Sequence, residues 1–226
     1  MPFKHVRAFR EMKKQFSRIP NIDFTQQIKL GQIGSFDSQS VKFDWITSLK
    51  SLKIETEPVP MSDFPPVVNM LYTTQGAVSY KFGLDEEKIG SVNFKFNKDY
   101  SLVAQSVDMT SQGFEIGQLE NDILDYIRAE KRWDHKWVIV TQVFTSTSFS
   151  LLIASSKKSE VTICTQIPIK ASGFNIANPN LNLVATSAKW MAYSELAKQN
   201  VTPFFRLHKL RGDWNNKELS LKPYGI

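Results

Sequence analysis

The stretch VSYKFGLDEEKIGSVNFKF, residues 78–96, decides the fold of this chain. Its larger apolar residues alternate with polar or small ones on both sides of an acidic four-residue turn, 85–88: they are Val78, Tyr80, Phe82, Leu84, Val92, Phe94 and Phe96. A period of two is typical of β-strands, whose successive side chains point to opposite faces. The stretch therefore predicts a β-hairpin with one apolar face. That face would cover a core or a helix in a soluble domain, and it would meet lipid in a membrane.

Several further segments rich in β-branched and aromatic residues predict strands: 24–30, 41–45, 101–109, 137–144, 149–155, 160–167 and 202–210. Serine- and threonine-rich or lysine-rich turns at 145–148 and 156–159 would join three of them into a meander. The glycines of 31–34 predict a turn rather than a phosphate-binding loop, because no Lys, Ser or Thr follows at the required spacing. The spacing of apolar residues in 183–198 fits either a helix or a strand.

Residues 114–133 predict a helix, since acidic residues load its first half and basic residues its end, an order that complements the helix dipole. A proline-rich stretch, 55–66, predicts a stiff connection, and 212–226 a polar C-terminal tail. We therefore predict one α+β domain, residues 1–226. Its twisted, mostly antiparallel sheet is decorated by helices, with a basic amphipathic helix at the N-terminus.

The predicted N-terminal helix, 1–19, holds most of the excess charge of the chain. Residues 1–18 carry six bases against one acid, a net charge of +5, whereas the whole chain has +6. At the helical period Ala8, Phe9, Met12, Phe16 and Ile19 form one apolar stripe, with Arg7, Arg10, Lys14 and Arg18 opposite. Such a helix can dock on its own domain, lie on an anionic membrane, contact nucleic-acid phosphates or serve as a targeting presequence.

Composition excludes several classes of protein. No run approaches the roughly 18 apolar residues of a membrane-spanning helix, and no secretory signal is present, which favours a cytoplasmic protein. The single cysteine, Cys164, forbids an internal disulfide and suits a reducing compartment. Within its predicted strand it is expected to be a buried, inert thiol.

The sequence has no catalytic constellation. His5, His135 and His208 lie far apart, none at metal-ligand spacing, and the only tempting cluster, Asp134 with His135, is explained by a turn. Phosphate loops, nucleophile elbows and paired-carboxylate motifs are lacking. We therefore predict a protein that is not an enzyme and uses no metal or cofactor. An enzyme whose site residues are dispersed along the sequence is kept as the last alternative, after the two non-enzymatic functions given below. Nucleic acid is a less favoured partner, because no basic-aromatic RNA-reading motif is present.

The order of these elements resembles the pore-forming domain of the gasdermins, especially the compact bacterial and fungal ones. Besides the basic helix and the hairpin, three segments carry the resemblance: FEIGQL at 114–119, WVIVT at 137–141 and TPFFR at 202–206. The similarity covers mainly residues 90–210. It implies a cytoplasmic monomer that a protease releases from autoinhibition. The released protein would bind acidic lipid, oligomerise and extend its sheet into membrane-spanning hairpins, causing cell death or serving defence.

Carried onto this chain, the resemblance implies two groups of functional residues. The lipid-binding residues of the N-terminal helix would be Lys4, Arg7, Arg10, Lys13 and Lys14, with Phe9, Met12 and Phe16 as apolar anchors. The first membrane hairpin would be residues 78–96, and the second would come from 137–167. The alternative is a non-catalytic interaction module whose basic helix docks on a protein or a nucleic acid.

Overall fold

A computed structural model describes residues 18–21, 26–61, 69–73, 77–84, 89–130, 132–168, 175–189, 191–213 and 218–224. This part of the chain is mostly β and has one α-helix, so the predicted α+β class with several decorating helices is wrong. The period of two extends further than the sequence indicated, because 184–189 and 191–200, which also fitted a helix, are strands. The predicted N-terminal helix covers residues 1–19, of which 1–17 lie outside the described residues. Only its last two positions, Arg18 and Ile19, are described.

The chain forms two compact units. Within the described residues the first unit contains 69–109 and 146–201, and the second contains 18–61, 110–145 and 202–224. Two long strands, β10 (Val138–Ala154) and β13 (Met191–Asp213), contribute residues to both units.

The first unit contains a four-stranded antiparallel sheet with the strand order β12-β11-β7-β6. Its strands are β6 (Val78–Leu84), β7 (Ile89–Phe96), β11 (Glu160–Pro168) and β12 (Val184–Lys189). In the same unit, β8 (Leu102–Val107) lies between β5 (Asn69–Thr73) and the second half of β10. A short 3-10 helix, Pro179–Leu181, precedes β12.

The core of the first unit lies on one face of the four-stranded sheet. Val92, Phe94 and Phe96 of β7 are buried there, with Val103 of β8 and Leu152 of β10. Each such side chain contributes about 1.5–3 kcal/mol on burial. The hairpin predicted at 78–96 is confirmed, with Val78 paired to Phe96 and Leu84 to Gly90, and its apolar face covers a core.

The second unit is a sheet covered by a helix. Its first strands are β1 (Ile19–Pro20), β2 (Gln32–Asp37), β3 (Lys42–Ser48) and β4 (Val59–Pro60), with a 3-10 helix at Lys50–Leu52. Then follow β9 (Thr110–Gly113), helix α1 (Ile116–Glu130) and β14 (Glu218–Tyr224). The strand order is β1-β13-β10-β2-β3, with β14 beside β13 and β9 between β10 and β4.

Helix α1 packs on this sheet through its apolar stripe, so the helix predicted at 114–133 is confirmed, with somewhat narrower bounds. Leu119 and Ile123 are fully buried in a core cluster with Ile33, Ile139 and Leu221. One carboxylate oxygen of Glu120 accepts a hydrogen bond of 2.6 Å from the backbone N–H of Leu221 in β14. The helix therefore caps a backbone donor of a strand that would otherwise be an exposed edge.

Three predicted turns or tails are strands. Residues 145–148 do not turn but continue β10, because Thr145 pairs with Thr110 of β9 and Ser148 with Val107 of β8. Of the predicted turn 31–34, only Gly31 has a turn conformation, with φ +76, whereas β2 begins at Gln32. Within the predicted polar tail, 212–226, residues 218–224 form β14, whose leucines enter the core. Neighbouring strands supplied hydrogen-bond partners that polar composition alone does not reveal.

One predicted strand does not appear in the part of its segment that the structure describes. The segment 24–30 has no strand among its described residues, 26–30, although Ile28 is buried. Its apolar residues were too few to distinguish a buried loop from a strand.

Candidate functional site

The predicted lipid-binding residues Lys4, Arg7, Arg10, Lys13, Lys14, Phe9, Met12 and Phe16 lie outside the described residues. The end of that stretch is described and differs from the prediction. Arg18 is only 5% exposed, and its guanidinium lies 3.9 Å from the ring centre of Phe144. Ile19 pairs with Phe205 in a strand. Arg18 therefore belongs to a buried cation-π contact and not to the solvated face of a helix.

The seven hairpin candidates are split between the core and the surface. Val92, Phe94 and Phe96 are buried and Val78 packs against the same cluster, whereas Phe82 and Leu84 lie in β6. Tyr80 is 59% exposed, although it pairs with Phe94 and its ring lies 6.0 Å from the ring of Phe94. Because cross-strand partners share a face, Tyr80 extends the apolar face beyond the core into solvent.

The opposite face of the four-stranded sheet is polar. The side-chain amide of Asn93 donates to Glu160 at 2.7 Å and to Thr162 at 2.8 Å, and Lys95 lies 3.7 Å from Glu160. The hydrogen bond from Asn93, followed by the charges of Lys95 and Lys189, lowers the pKa of Glu160. The sheet thus has one apolar face and one hydrogen-bonded, charged face.

The two end strands of this sheet are β6 and β12. All six residues of β12 are exposed, including Val184 at 42%. An end strand with unpaired backbone groups can take a further strand by hydrogen bonding. This arrangement permits edge-to-edge extension of the sheet.

Cys164 is partly exposed, so the predicted buried thiol is wrong. It lies on β11 beside Ile163, and alternation turns Ile163 into the core and Cys164 to the polar face. Its Sγ lies 3.5 Å from the hydroxyl of Thr186 on β12. The apolar sequence neighbours of Cys164 face the other side of the sheet.

His208 is half-buried on β13, with Nδ1 2.7 Å from the hydroxyl of Thr141 on β10. Burial, and next the charge of Arg206, lowers the pKa of His208 to about 4. The ring is therefore neutral near neutral pH and acts as a hydrogen-bonding member of the sheet.

A β-bulge between β2 and β3 produces the most exposed apolar site of the second unit's described residues. Ile33 pairs with Thr47 and Gly34 with Trp45, so Ile46 is the extra residue. Trp45 is 59% exposed and Ile46 54%. We call these two residues the apolar ledge. Only glycine fits at position 34, since a Cβ there would lie 2.1 Å from the carbonyl oxygen of Asp44.

An open groove of about 890 Å³ adjoins the ledge, and Trp45 forms part of its wall. Leu49, Ile54 and Phe114 form its buried, apolar lining. The charged residues of the groove are Lys29, Lys50, Lys53, Glu55 and Glu57, all exposed, with a net charge of +1. We call this site the lysine groove. It combines an aromatic wall, an apolar lining and excess positive charge.

The ledge and the groove were not predicted from the sequence. Trp45 read as part of an alternating strand, 41–45, and the bulge that exposes both ledge residues depends on the register of β3 against β2. A glycine within a strand, here Gly34, is consistent with a bulge or a close backbone approach, but it does not give the register of the two strands.

Among the described residues, no three His, Cys, Asp or Glu side chains are grouped so that they could hold a metal ion. Asp134 and His135 lie in an exposed turn, where Asp134 accepts a hydrogen bond from the backbone N–H of Lys136. In the same part of the chain, no helix is long and apolar enough to cross a membrane. Comparison of the chain with models of known protein families and with curated proteins finds no match.

Proposed function

We propose that this protein acts on membranes in the manner of the gasdermins: it binds acidic lipid, oligomerises and opens a pore. The observation that carries the proposal is the four-stranded sheet of the first unit. Hairpin β6–β7 and strands β11 and β12 lie side by side in it, so the first predicted membrane hairpin is joined to part of the second.

The two faces of this sheet suit a wall between lipid and water. Val92, Phe94 and Tyr80 share one face, and Asn93, Lys95 and Glu160 share the other. A membrane-inserted strand needs the same alternation over about 9–11 residues. β11 has nine residues, whereas β6 has seven and β7 eight, so the hairpin would lengthen through its turn on insertion.

Insertion requires the apolar face to leave the core of the first unit, where Phe94 and Phe96 are buried. Lipid can replace that burial, because acyl chains are as apolar as the core they substitute. The end strands β6 and β12 would then pair with β12 and β6 of neighbouring copies, an edge-to-edge contact that closes into a ring. An activating protease and a move from the cytoplasm to the membrane belong to the same proposal.

Dye release from vesicles tests the proposal. The protein is added to vesicles of phosphatidylcholine alone and of phosphatidylcholine with phosphatidylserine, each loaded with a self-quenched dye. We expect release from the anionic vesicles, reduced by salt because acidic lipid attracts bases electrostatically, and little release from the neutral ones.

Lys95→Glu combined with Glu160→Lys is a matched variant, since it exchanges the two charges of one pair on the polar face. This double variant should keep the activity, whereas Phe94→Asp, which places a charge on the lipid-facing side, should lose it. Anionic vesicles that stay intact with protein before and after limited proteolysis would contradict pore formation.

A further inference from the structure

We propose that the apolar ledge and the lysine groove of the second unit together form a docking site for anionic phospholipid in a bilayer. The inference rests on the proposed membrane function. It names a contact surface outside the N-terminal helix and outside the two predicted membrane hairpins, 78–96 and 137–167. Trp45 and Ile46 would enter the boundary between headgroups and acyl chains, and the lysines would meet the phosphates.

Trp45 is prepared for an apolar environment. Its indole Nε1–H donates to the carbonyl oxygen of Thr47 at 2.6 Å, so the donor is satisfied within the protein. An unsatisfied polar group pays a desolvation penalty when it leaves water, and Trp45 avoids most of that penalty. Tryptophan, like tyrosine, is enriched at membrane interfaces.

The bulge places a second large apolar side chain beside the tryptophan. In a regular strand Trp45 and Ile46 would face opposite sides, but Ile46 is the extra residue and both are more than half exposed. A bulge also bends the strand that carries it, here β3, the last strand in its sheet order, which disfavours regular pairing of its outer edge with another strand. The ledge is therefore better suited to insertion than to addition of another strand.

The excess of lysine over glutamate beside the ledge favours a negatively charged lipid. Lys29, Lys50 and Lys53 line the groove that Trp45 walls, against Glu55 and Glu57. Lys53 has a left-handed backbone with φ +59 where the 3-10 helix ends. Apolar anchors next to clustered lysines are the combination that binds anionic bilayers at their surface. A nucleic acid would use the lysines but leave Ile46 without a role.

Vesicle co-sedimentation with variants of the intact chain tests this site. Trp45→Ser with Ile46→Ser removes the ledge, and we expect its partition onto phosphatidylserine-containing vesicles to fall at least about tenfold. His135→Ser is the control, because His135 is also exposed in the second unit and lies in a turn outside the ledge, the groove and the predicted membrane hairpins. It should bind like the wild type.

A second pair of variants separates charge from apolar insertion. Lys29, Lys50 and Lys53 are changed together to Gln, and Lys98, Lys136 and Lys198, which are also exposed but lie outside the groove and the predicted membrane hairpins, are changed to Gln in the control. The groove variant should bind more weakly and with less salt dependence than its control. Soluble glycerophosphoserine at the same headgroup concentration should not displace the protein, since the ledge needs a bilayer.

The outcomes distinguish this inference from the function it rests on. If the wild type binds anionic vesicles and the ledge variant binds as tightly, the docking site is refuted while the membrane function stands. If the wild type does not bind, the membrane function fails and the site falls with it. Near-ultraviolet circular dichroism of each variant checks that the exposed substitutions leave the fold intact.

Discussion

Gly34 is the residue on which the ledge depends. Its missing Cβ lets β2 approach the carbonyl of Asp44 where Ile46 bulges out of β3. Gly34→Ala brings a carbon to 2.1 Å from that oxygen, so the strands must separate.

We expect Gly34→Ala to lower the free energy of unfolding by roughly 2–3 kcal/mol, measured by urea denaturation. Gly117→Ala is the matched control, since a Cβ there meets nothing within 4 Å, and it should be neutral or stabilising because alanine favours a helix. Equal stability of the two variants would show that the close contact at Gly34 is not formed.

His208 makes stability depend on pH. Its pKa is about 4 in the folded protein and 6.5 without burial, so between these values the unfolded chain binds more protons. The contribution of the neutral ring is present above pH 6.5 and is lost as pH falls towards 4.

His208→Gln, which retains a hydrogen-bonding partner for Thr141 but does not titrate, should therefore lose less stability over that window. The difference should be about 1–2 kcal/mol after allowance for solvent screening of a half-exposed ring. Urea unfolding of both proteins at several pH values measures it. Parallel pH profiles for the two proteins would exclude His208 as the source.

At the level of elements, the contact between α1 and β14 connects the helix to the C-terminal strand. Glu120 accepts from the backbone N–H of Leu221, and Leu221 itself is 4% exposed. Glu120→Ala should cost about 1 kcal/mol of stability because it leaves that donor without its partner.

Glu120→Gln keeps an acceptor oxygen and is the control. The sharper readout is hydrogen exchange of the Leu221 amide, which should speed up in the alanine variant and little in the glutamine variant. An unchanged exchange rate in both would mean that the carboxylate does not cap this strand.

Elements with strong local periodicity were predictable from sequence, and those fixed by distant partners were not. The alternation at 78–96 gave both strands of the hairpin and the inward direction of Phe94. The stretch 145–148 was predicted as a turn, because Thr and Ser are common both in turns and in strands. Its strand conformation depends on pairing with β8 and β9. The class α+β failed for the same reason, since β14 and the first half of β13 needed tertiary partners.

The candidate site was predictable only in part. The alternation of apolar residues placed Tyr80 and Val92 on the same face of the hairpin. The exposure of Tyr80 depends on where the core ends. The ledge depends on a one-residue shift of register between β2 and β3, which no local pattern encodes. Arg18 read as a surface base because its contact with Phe144 joins residues distant in sequence.

For the whole molecule, the two units suggest a division of tasks within the proposed function. The second unit carries the ledge and the groove, through which it would dock on the bilayer. The first unit carries the four-stranded sheet that would insert. The leucines of β14 belong to the core of the second unit, so removal of the tail would destabilise that unit.

In the proposed pore, the apolar face of the four-stranded sheet would move from its core into lipid. The native Cys164 lies on the polar face of this sheet, and Tyr80 lies on the apolar face. The most direct measurement attaches an environment-sensitive fluorophore either to Cys164 or, in a Cys164→Ser background, to Tyr80→Cys. On anionic vesicles the probe at 80 should brighten and shift to the blue, whereas the probe at 164 should remain quenchable by aqueous iodide. Two probes that both keep their spectra in the presence of bound vesicles would contradict insertion of the sheet.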